Sequence, residues 1–123
     1  MFVQVFVLII HINLKKMNLY NIKDFTKGWV IGNFSPNIIK TDLFEIAVKQ
    51  YNKGDKEKKH FHKIATEITI VISGKIRMND YFLEKGEIIT LNPGEAFEFE
   101  ALEDCVTVVV KTPSALDDKF EVK

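Results

Sequence analysis

The chain has 123 residues, of which 46% are hydrophobic, so it is long enough for one folded domain and too apolar to be disordered over most of its length. Basic and acidic residues each number 17, which gives a formal net charge of zero. This balance argues against a nucleic-acid partner and against binding to a membrane surface, since both need a basic surplus. The single cysteine, Cys105, cannot form an intramolecular disulfide, which is typical of a cytoplasmic protein.

Residues 1–16 differ from the rest because the run from Phe2 to Ile12 is almost wholly apolar. It has about half of the roughly 20 residues that a membrane helix needs. It also lacks the basic leader and the small-residue cleavage site of a signal peptide. Two interpretations stay open: an extra buried strand, or a start-site artefact with Met17 as the true first residue.

The following residues, 17–112, contain short β-type segments separated by turns. Across residues 42–51, Phe44, Ile46 and Val48 alternate with more polar residues, which is the pattern of a strand with one buried face. Further strands are predicted at residues 67–73, 75–78, 81–84, 88–91, 97–101 and 105–111. Many short strands without a convincing helix predict a single all-β domain, an antiparallel sandwich or barrel. Residues 113–123 form a charged C-terminal tail.

The candidate functional residues are His60, His62 and Glu67. Alternate side chains of a strand share a face, so the two histidines are expected to point the same way. Glu67 begins the next strand, and an adjacent antiparallel strand can bring its carboxylate to the same place. Two imidazoles and one carboxylate on one face form a facial triad, which suits a divalent iron, manganese, nickel or zinc ion.

The spacing around these residues resembles a known motif. Glycine, five residues, His-x-His, four residues, glutamate, six residues and glycine is the first motif of the cupin superfamily. The matching residues here are Gly54, His60, His62, Glu67 and Gly74. The resemblance implies a cupin-type antiparallel β-barrel, also called a double-stranded β-helix or jelly roll, and it implies a homodimer.

The second cupin motif is present with two departures. Gly86, Pro93 and Gly94 look like its frame, but Asn92 stands where the family usually has proline. Phe97 stands where the family usually has a histidine as the fourth metal ligand. Phenylalanine cannot coordinate a metal, so a bound ion would have three protein ligands, with water or a small molecule in the remaining positions.

Strand alternation also predicts the residues that line a pocket around the candidate ligands. They lie on the face of Glu67 and on the inward faces of the neighbouring strands: Thr69, Val71, Phe97, Phe99, Phe44, Ile46 and Val48. The expected pocket is apolar and aromatic with a polar cluster on one side, as small-molecule sites usually are.

Three functions are compatible with these residues, and catalysis itself stays open. The first is a small cupin-domain protein that binds a divalent metal and acts on, or binds, a small polar metabolite. The second is a non-catalytic module that binds a sugar-like molecule. The third is a metal-independent sugar-nucleotide isomerase or epimerase, in which His60 or His62 is the general base and Tyr51 or Tyr81 the acid.

Overall fold

The computed structural model describes residues 17–123; the apolar extension predicted at residues 1–16 lies outside this range. Within it, the chain forms eleven β-strands and two 3₁₀ turns, Ile22–Asp24 and Thr26–Gly28. The strands are β1 Trp29–Gly32, β2 Ile39–Lys40, β3 Glu45–Tyr51, β4 Lys56–Phe61, β5 Thr66–Ser73, β6 Lys75–Met78, β7 Tyr81–Glu84, β8 Ile88–Leu91, β9 Phe97–Ala101, β10 Cys105–Thr112 and β11 Phe120–Glu121. None of the helical segments in the described range is long and apolar enough to cross a membrane.

The strands form two sheets packed face to face. The six-stranded sheet has the order β2-β1-β3-β10-β5-β8, and the five-stranded sheet has the order β11-β4-β9-β6-β7. All pairs are antiparallel except β1 with β2. From β3 to β10 the chain passes repeatedly from one sheet to the other, which winds the two sheets together as a jelly roll. The predicted all-β antiparallel fold is therefore confirmed.

The core lies between the two sheets. Buried and less buried residues alternate along β5, β9 and β10, so each of these strands turns one face inward. The buried apolar cluster contains Val71, Ile76, Met78, Leu83, Leu91, Phe97, Phe99, Ala101 and Cys105. Glu67 and Thr69 lie on the same inward face of β5 as Val71, so the strand pattern that builds the core also turns these polar side chains inward.

Strand β3 turns the opposite face inward from the one that the sequence predicted. Phe44, Ile46 and Val48 were expected to line the inner wall, but Ala47 is the fully buried residue of this strand. Alternation therefore points its neighbours Ile46 and Val48 outward, and Phe44 precedes the strand and is exposed. The 3₁₀ turn Thr26–Gly28 contacts β3, with Gly28 against the backbone of Val48.

The charged tail folds back onto its own barrel. Its strand β11 pairs with β4, with Phe120 opposite Phe61 and Glu121 opposite His60. Asp118, just before this strand, is buried. The tail therefore forms an edge of the five-stranded sheet next to the candidate ligands.

Gly74, the last glycine of the first motif, connects β5 to β6 where the chain leaves one sheet for the other. Its φ is +77°, a left-handed conformation that L side chains rarely adopt. A Cβ atom at this position would overlap the carbonyl oxygen of Asp104 and lie 2.6 Å from the Cβ of Cys105. Gly86 has a similar φ of +86° but open space around it.

Alanine substitutions at Gly74 and Gly86 therefore distinguish the cost of backbone strain, which both share, from the cost of steric overlap, which only Gly74 has. We expect Gly86→Ala to lower the free energy of unfolding by about 1–2 kcal/mol, the cost of a left-handed alanine. Gly74→Ala should add the cost of overpacking, about 1–3 kcal/mol more. Urea unfolding of both variants measures the difference, and equal losses would contradict the predicted close contact at Gly74.

Candidate functional site

The three candidate ligands are buried near one another inside the barrel. His60 lies in β4, His62 directly follows that strand, and Glu67 lies in β5. The sequence had suggested that an adjacent strand of the same sheet brings Glu67 to the histidines. In the structure β4 and β5 belong to different sheets, so these residues approach one another across the interior of the barrel. Their exposed fractions are 3%, 4% and 6%. The two imidazole centroids are 5.5 Å apart, and His62 Nε2 lies 3.6 Å from Glu67 Oε1.

Each imidazole is oriented by a backbone carbonyl. His60 Nδ1 lies 2.7 Å from the carbonyl oxygen of Lys58, and His62 Nδ1 is hydrogen-bonded to that of Asp118. A carbonyl oxygen only accepts hydrogen bonds, so Nδ1 carries the proton in each ring, and Nε2 of the neutral ring carries the lone pair. Burial lowers the pKa of His60, which favours the neutral form. Metal-ligating histidines are commonly oriented in this way.

The Nε2 atom of His62 is buried and has no hydrogen-bond partner among the described residues. Glu67 Oε1 faces it at 3.6 Å, which is too long for a hydrogen bond. When His62 is neutral, a lone pair therefore faces a carboxylate, which is unfavourable in a buried place. A cation at this point, either a proton on Nε2 or a metal ion, would remove the conflict. The Lys111 ammonium, 4.0 Å from Glu67 Oε1, compensates part of the negative charge.

Two imidazoles and one carboxylate are donor types that suit a divalent transition-metal ion. As the side chains stand, residues 17–123 contain no group of three His, Cys, Asp or Glu side chains that could hold a metal ion. Phe97 packs against both imidazoles, with ring centroids 4.3 Å from His60 and 6.2 Å from His62. An ion bound here would therefore have an aromatic ring beside its ligands.

Asp118 holds the loop between His62 and Glu67. Its carboxylate accepts hydrogen bonds from the backbone N–H groups of Lys63, Ile64 and Ala65, at 2.8, 3.1 and 2.9 Å. Burial alone would raise the pKa of Asp118, but these backbone hydrogen bonds lower it below its ordinary value.

Asp118 thus supports His62 twice, through the loop that follows the histidine and through its own carbonyl oxygen. The sequence interpretation missed this residue. It lies 56 positions beyond His62 in a charged tail, where nothing local indicates burial.

A cavity of about 420 Å³ opens beside His60 and Glu67. Its apolar wall is formed by Trp29, Phe34, Met78, Phe97, Phe99 and Val109. Thr69, Phe97 and Phe99, which the sequence predicted to line a pocket, contact this cavity. Val71 is fully buried in the adjoining core instead. The size and the aromatic wall are typical of a site for a small molecule.

Apart from Glu67, the charged side chains of the cavity were not predicted from the sequence. Within residues 17–123, four lysines and three glutamates line it: Lys27, Lys49, Lys111, Lys119, Glu45, Glu57 and Glu67. Tyr51 also lines it and donates a hydrogen bond to Glu57 Oε1 over 3.0 Å. The period-two pattern of β3 does place Glu45, Lys49 and Tyr51 on one face. That face was assigned to solvent because it is the more polar one.

No protein-family profile matches the sequence, and no curated protein matches it either. Solved structures do match. An uncharacterised conserved protein with a double-stranded β-helix domain from Klebsiella pneumoniae has a TM-score of 0.64 and 17% identity, over 87% of this chain and 93% of that chain. The DMSP lyase DddQ from Ruegeria pomeroyi has a TM-score of 0.61 and 16% identity, over 76% of this chain and 49% of the other. An RmlC-like cupin from Shewanella frigidimarina has a TM-score of 0.59 and 15% identity, over 63% of this chain and 72% of the other.

The chain has the cupin fold. At these identities the likeness is one of fold, so the site has to be understood from its own residues. The glycine frame of the first cupin motif lies in turns, with positive φ at both Gly54 and Gly74. The residues between these two glycines in the sequence include His60, His62 and Glu67, which are buried inside the barrel.

The support that Asp118 gives to this cupin site can be measured. Asp118→Ala leaves loop amides without their acceptor, so we expect it to lower the free energy of unfolding by roughly 1–3 kcal/mol. Asp118→Asn retains one acceptor oxygen and should cost less. Glu121→Ala removes an exposed carboxylate from the same tail and should change stability by less than about 0.5 kcal/mol.

Urea unfolding at several pH values provides a second check. The pKa of Asp118 is lower in the folded than in the unfolded chain, so its stabilisation is present above about pH 4 and disappears as the pH falls further. The difference between wild type and Asp118→Ala should shrink in the same range. A pH-independent difference would show that the carboxylate charge is not what holds the loop.

Proposed function

We propose that this cupin binds a divalent metal ion through His60, His62 and Glu67 and holds a small polar molecule beside it in the cavity. One observation carries the proposal. The buried, unpartnered Nε2 atom of His62 faces the Glu67 carboxylate, while a backbone carbonyl fixes Nδ1 of each imidazole as the donor. A bound iron, manganese, nickel or zinc ion would act as a Lewis acid on a carbonyl group or would activate a bound water or oxygen.

The other residues of the site support binding of a small molecule. Three protein ligands leave positions open for it. The Thr107 hydroxyl lines the cavity and is buried without a hydrogen-bond partner among the described residues, so it is available to a ligand. Phe97 shields one side of the imidazoles from water. A DMSP lyase among the matching structures supports small-molecule chemistry in a barrel of this fold, although 16% identity does not carry its substrate over.

Elemental analysis of protein purified without chelator tests the metal site directly. We expect about one divalent ion per wild-type chain and little metal in His62→Ala and Glu67→Gln, because each variant removes one of three ligands. Glu57→Gln is the matched control, since this carboxylate lines the same cavity but lies outside the proposed ligand set, and it should retain the metal. A wild-type protein that takes up no iron, manganese, nickel or zinc would rule the proposal out.

Metal binding should also depend on pH in a defined direction. Imidazole must be neutral to bind a metal, so affinity should fall in acid as the imidazoles become protonated. The pH dependence of metal affinity can be measured without an activity assay, as the increase in thermal unfolding temperature when metal is added. The increase should diminish in acid and be small at every pH in Glu67→Gln.

A metal-independent isomerase or epimerase is a second candidate, which one specific observation favours. Of the two tyrosines considered as acids, Tyr51 lines the same cavity as His60, whereas Tyr81 is 66% exposed on another part of the surface. Burial, followed by the neighbouring Glu57, raises the pKa of Tyr51 well above its ordinary value, so the phenol holds its proton at neutral pH, as a proton donor must. The neutral His60 ring presents its Nε2 lone pair as the base.

Solvent deuterium exchange into a panel of nucleotide sugars tests this second candidate. We expect exchange by metal-stripped wild type to be lost in Tyr51→Phe and retained in Tyr81→Phe, which removes a hydroxyl that does not line the cavity. If no compound of a broad panel exchanges, the isomerase is excluded. Binding of a sugar-like molecule without catalysis is the remaining alternative. The homodimer and the cytoplasmic location stay predictions.

A further inference from the structure

Lys49 is a partly buried ammonium group without a matching carboxylate among the described residues. It projects from β3 into the cavity, and it takes part in none of the ion pairs found within 4.0 Å in residues 17–123. Its Nζ lies 5.3 Å from the centroid of the Trp29 ring. The Lys111 ammonium lies 5.0 Å from the same ring, so two positive charges share one aromatic side chain.

The surroundings of Lys49 disfavour its positive charge. Burial lowers the pKa of Lys49; Glu57 raises it in part, and Lys27, Lys111 and Lys119 lower it further. An isolated buried ammonium group is costly unless it is paired. A negative group placed among these lysines would stabilise all of them.

The carboxylates of the cavity do not fill this role, because each has a polar partner elsewhere. Glu45 accepts a hydrogen bond from Ser114 Oγ over 2.9 Å and lies 3.7 Å from Lys111 Nζ. Glu57 accepts the Tyr51 hydroxyl, and Glu67 faces His62 and Lys111. Among the described residues, Lys27, Lys49 and Lys119 line the cavity without a carboxylate within 4.0 Å, and Lys49 is the one of the three that is partly buried.

We propose that the cavity binds a small anionic molecule through a carboxylate or phosphate group held by Lys49, with Lys111 and Lys119 beside it. A volume of about 420 Å³ is suited to a small metabolite. Lysine contacts such groups as a point charge, without the paired geometry of arginine. The chain has one arginine, Arg77, which pairs with Glu98 and Glu100 and does not line this cavity.

This inference deepens the proposed function, because the anion would be the small polar molecule that binds beside the metal. It rests on lysines that are not metal ligands. Anion binding can therefore be measured on metal-stripped protein, and the two proposals can fail separately.

Isothermal titration at pH 7 and low salt tests the inference, with inorganic phosphate and malonate as separate probes and neutral malonamide as their control. Low salt keeps exposed charges such as that of Lys119 from being screened. We expect the wild type to bind at least one of the two anions and not malonamide. Phosphate binding alone indicates a phosphorylated ligand, and malonate binding alone indicates a carboxylate. Absence of binding by both anions, or equal binding of malonamide, would overturn the inference.

Variants locate the binding group. Lys49→Gln should weaken anion binding at least tenfold, and Lys119→Gln should weaken it about threefold. Lys119 is exposed, so its replacement leaves the fold intact even if Lys49→Gln is poorly folded. Lys85→Gln removes the same charge from an exposed turn outside the cavity and should change affinity by less than twofold. Unchanged affinity in both cavity variants, or an equal loss in Lys85→Gln, would contradict the assignment.

Glu67→Gln separates this inference from the proposed function. The substitution removes a metal ligand and also a negative charge near Lys111, so metal should be lost while anion binding persists or strengthens. Metal binding without anion binding would reject only the present inference. Anion binding by a wild type that takes up no metal would reject only the metal site.

Discussion

The contact between His62 and Glu67 is the constraint on which the rest of the site depends. Both side chains are buried, and an imidazole nitrogen and a carboxylate oxygen face each other without a hydrogen bond. Such a pair is stable only where other groups balance its charge and hold its geometry. Lys111 supplies part of the charge, and Asp118 holds the histidine and the loop that joins the pair. The barrel keeps His62, Glu67 and Asp118 buried.

Much of the fold followed from local signals in the sequence. The strands at residues 75–78, 81–84 and 88–91 were predicted with the bounds that the structure has, because glycine and Asn-Asp turn residues delimit them sharply. The glycine spacing of the first motif also indicated a cupin barrel. The histidines and Glu67 were expected on an inner wall, and they are buried there.

What the sequence could not provide was the phase of β3 and the role of the tail. Alternation reveals a period of two, but it does not reveal which face is inside when the interior is itself charged. In β3 the charged residues Glu45 and Lys49 face the cavity, while Val48 lies against a neighbouring 3₁₀ turn, so the usual rule of apolar residues inside fails. Asp118 acts through contacts that span more than 50 residues, and no local pattern encodes them.

The docking of the tail also affects how solvent reaches the buried side chains of His62 and Glu67. The strand β11 has only two residues, and short edge segments open at a lower free-energy cost than the core of a sheet. Each opening would release the carbonyl oxygen that orients His62 together with the carboxylate that holds residues 63–65. A small groove lined by His62, Ala65 and Asp118 already lies under this segment. This groove adjoins the lysine-lined cavity, because Glu45, Lys111 and Lys119 line both. Opening of the tail would therefore expose His62 to solvent from the side of Asp118, and its rate would limit how fast ions and protons reach this histidine.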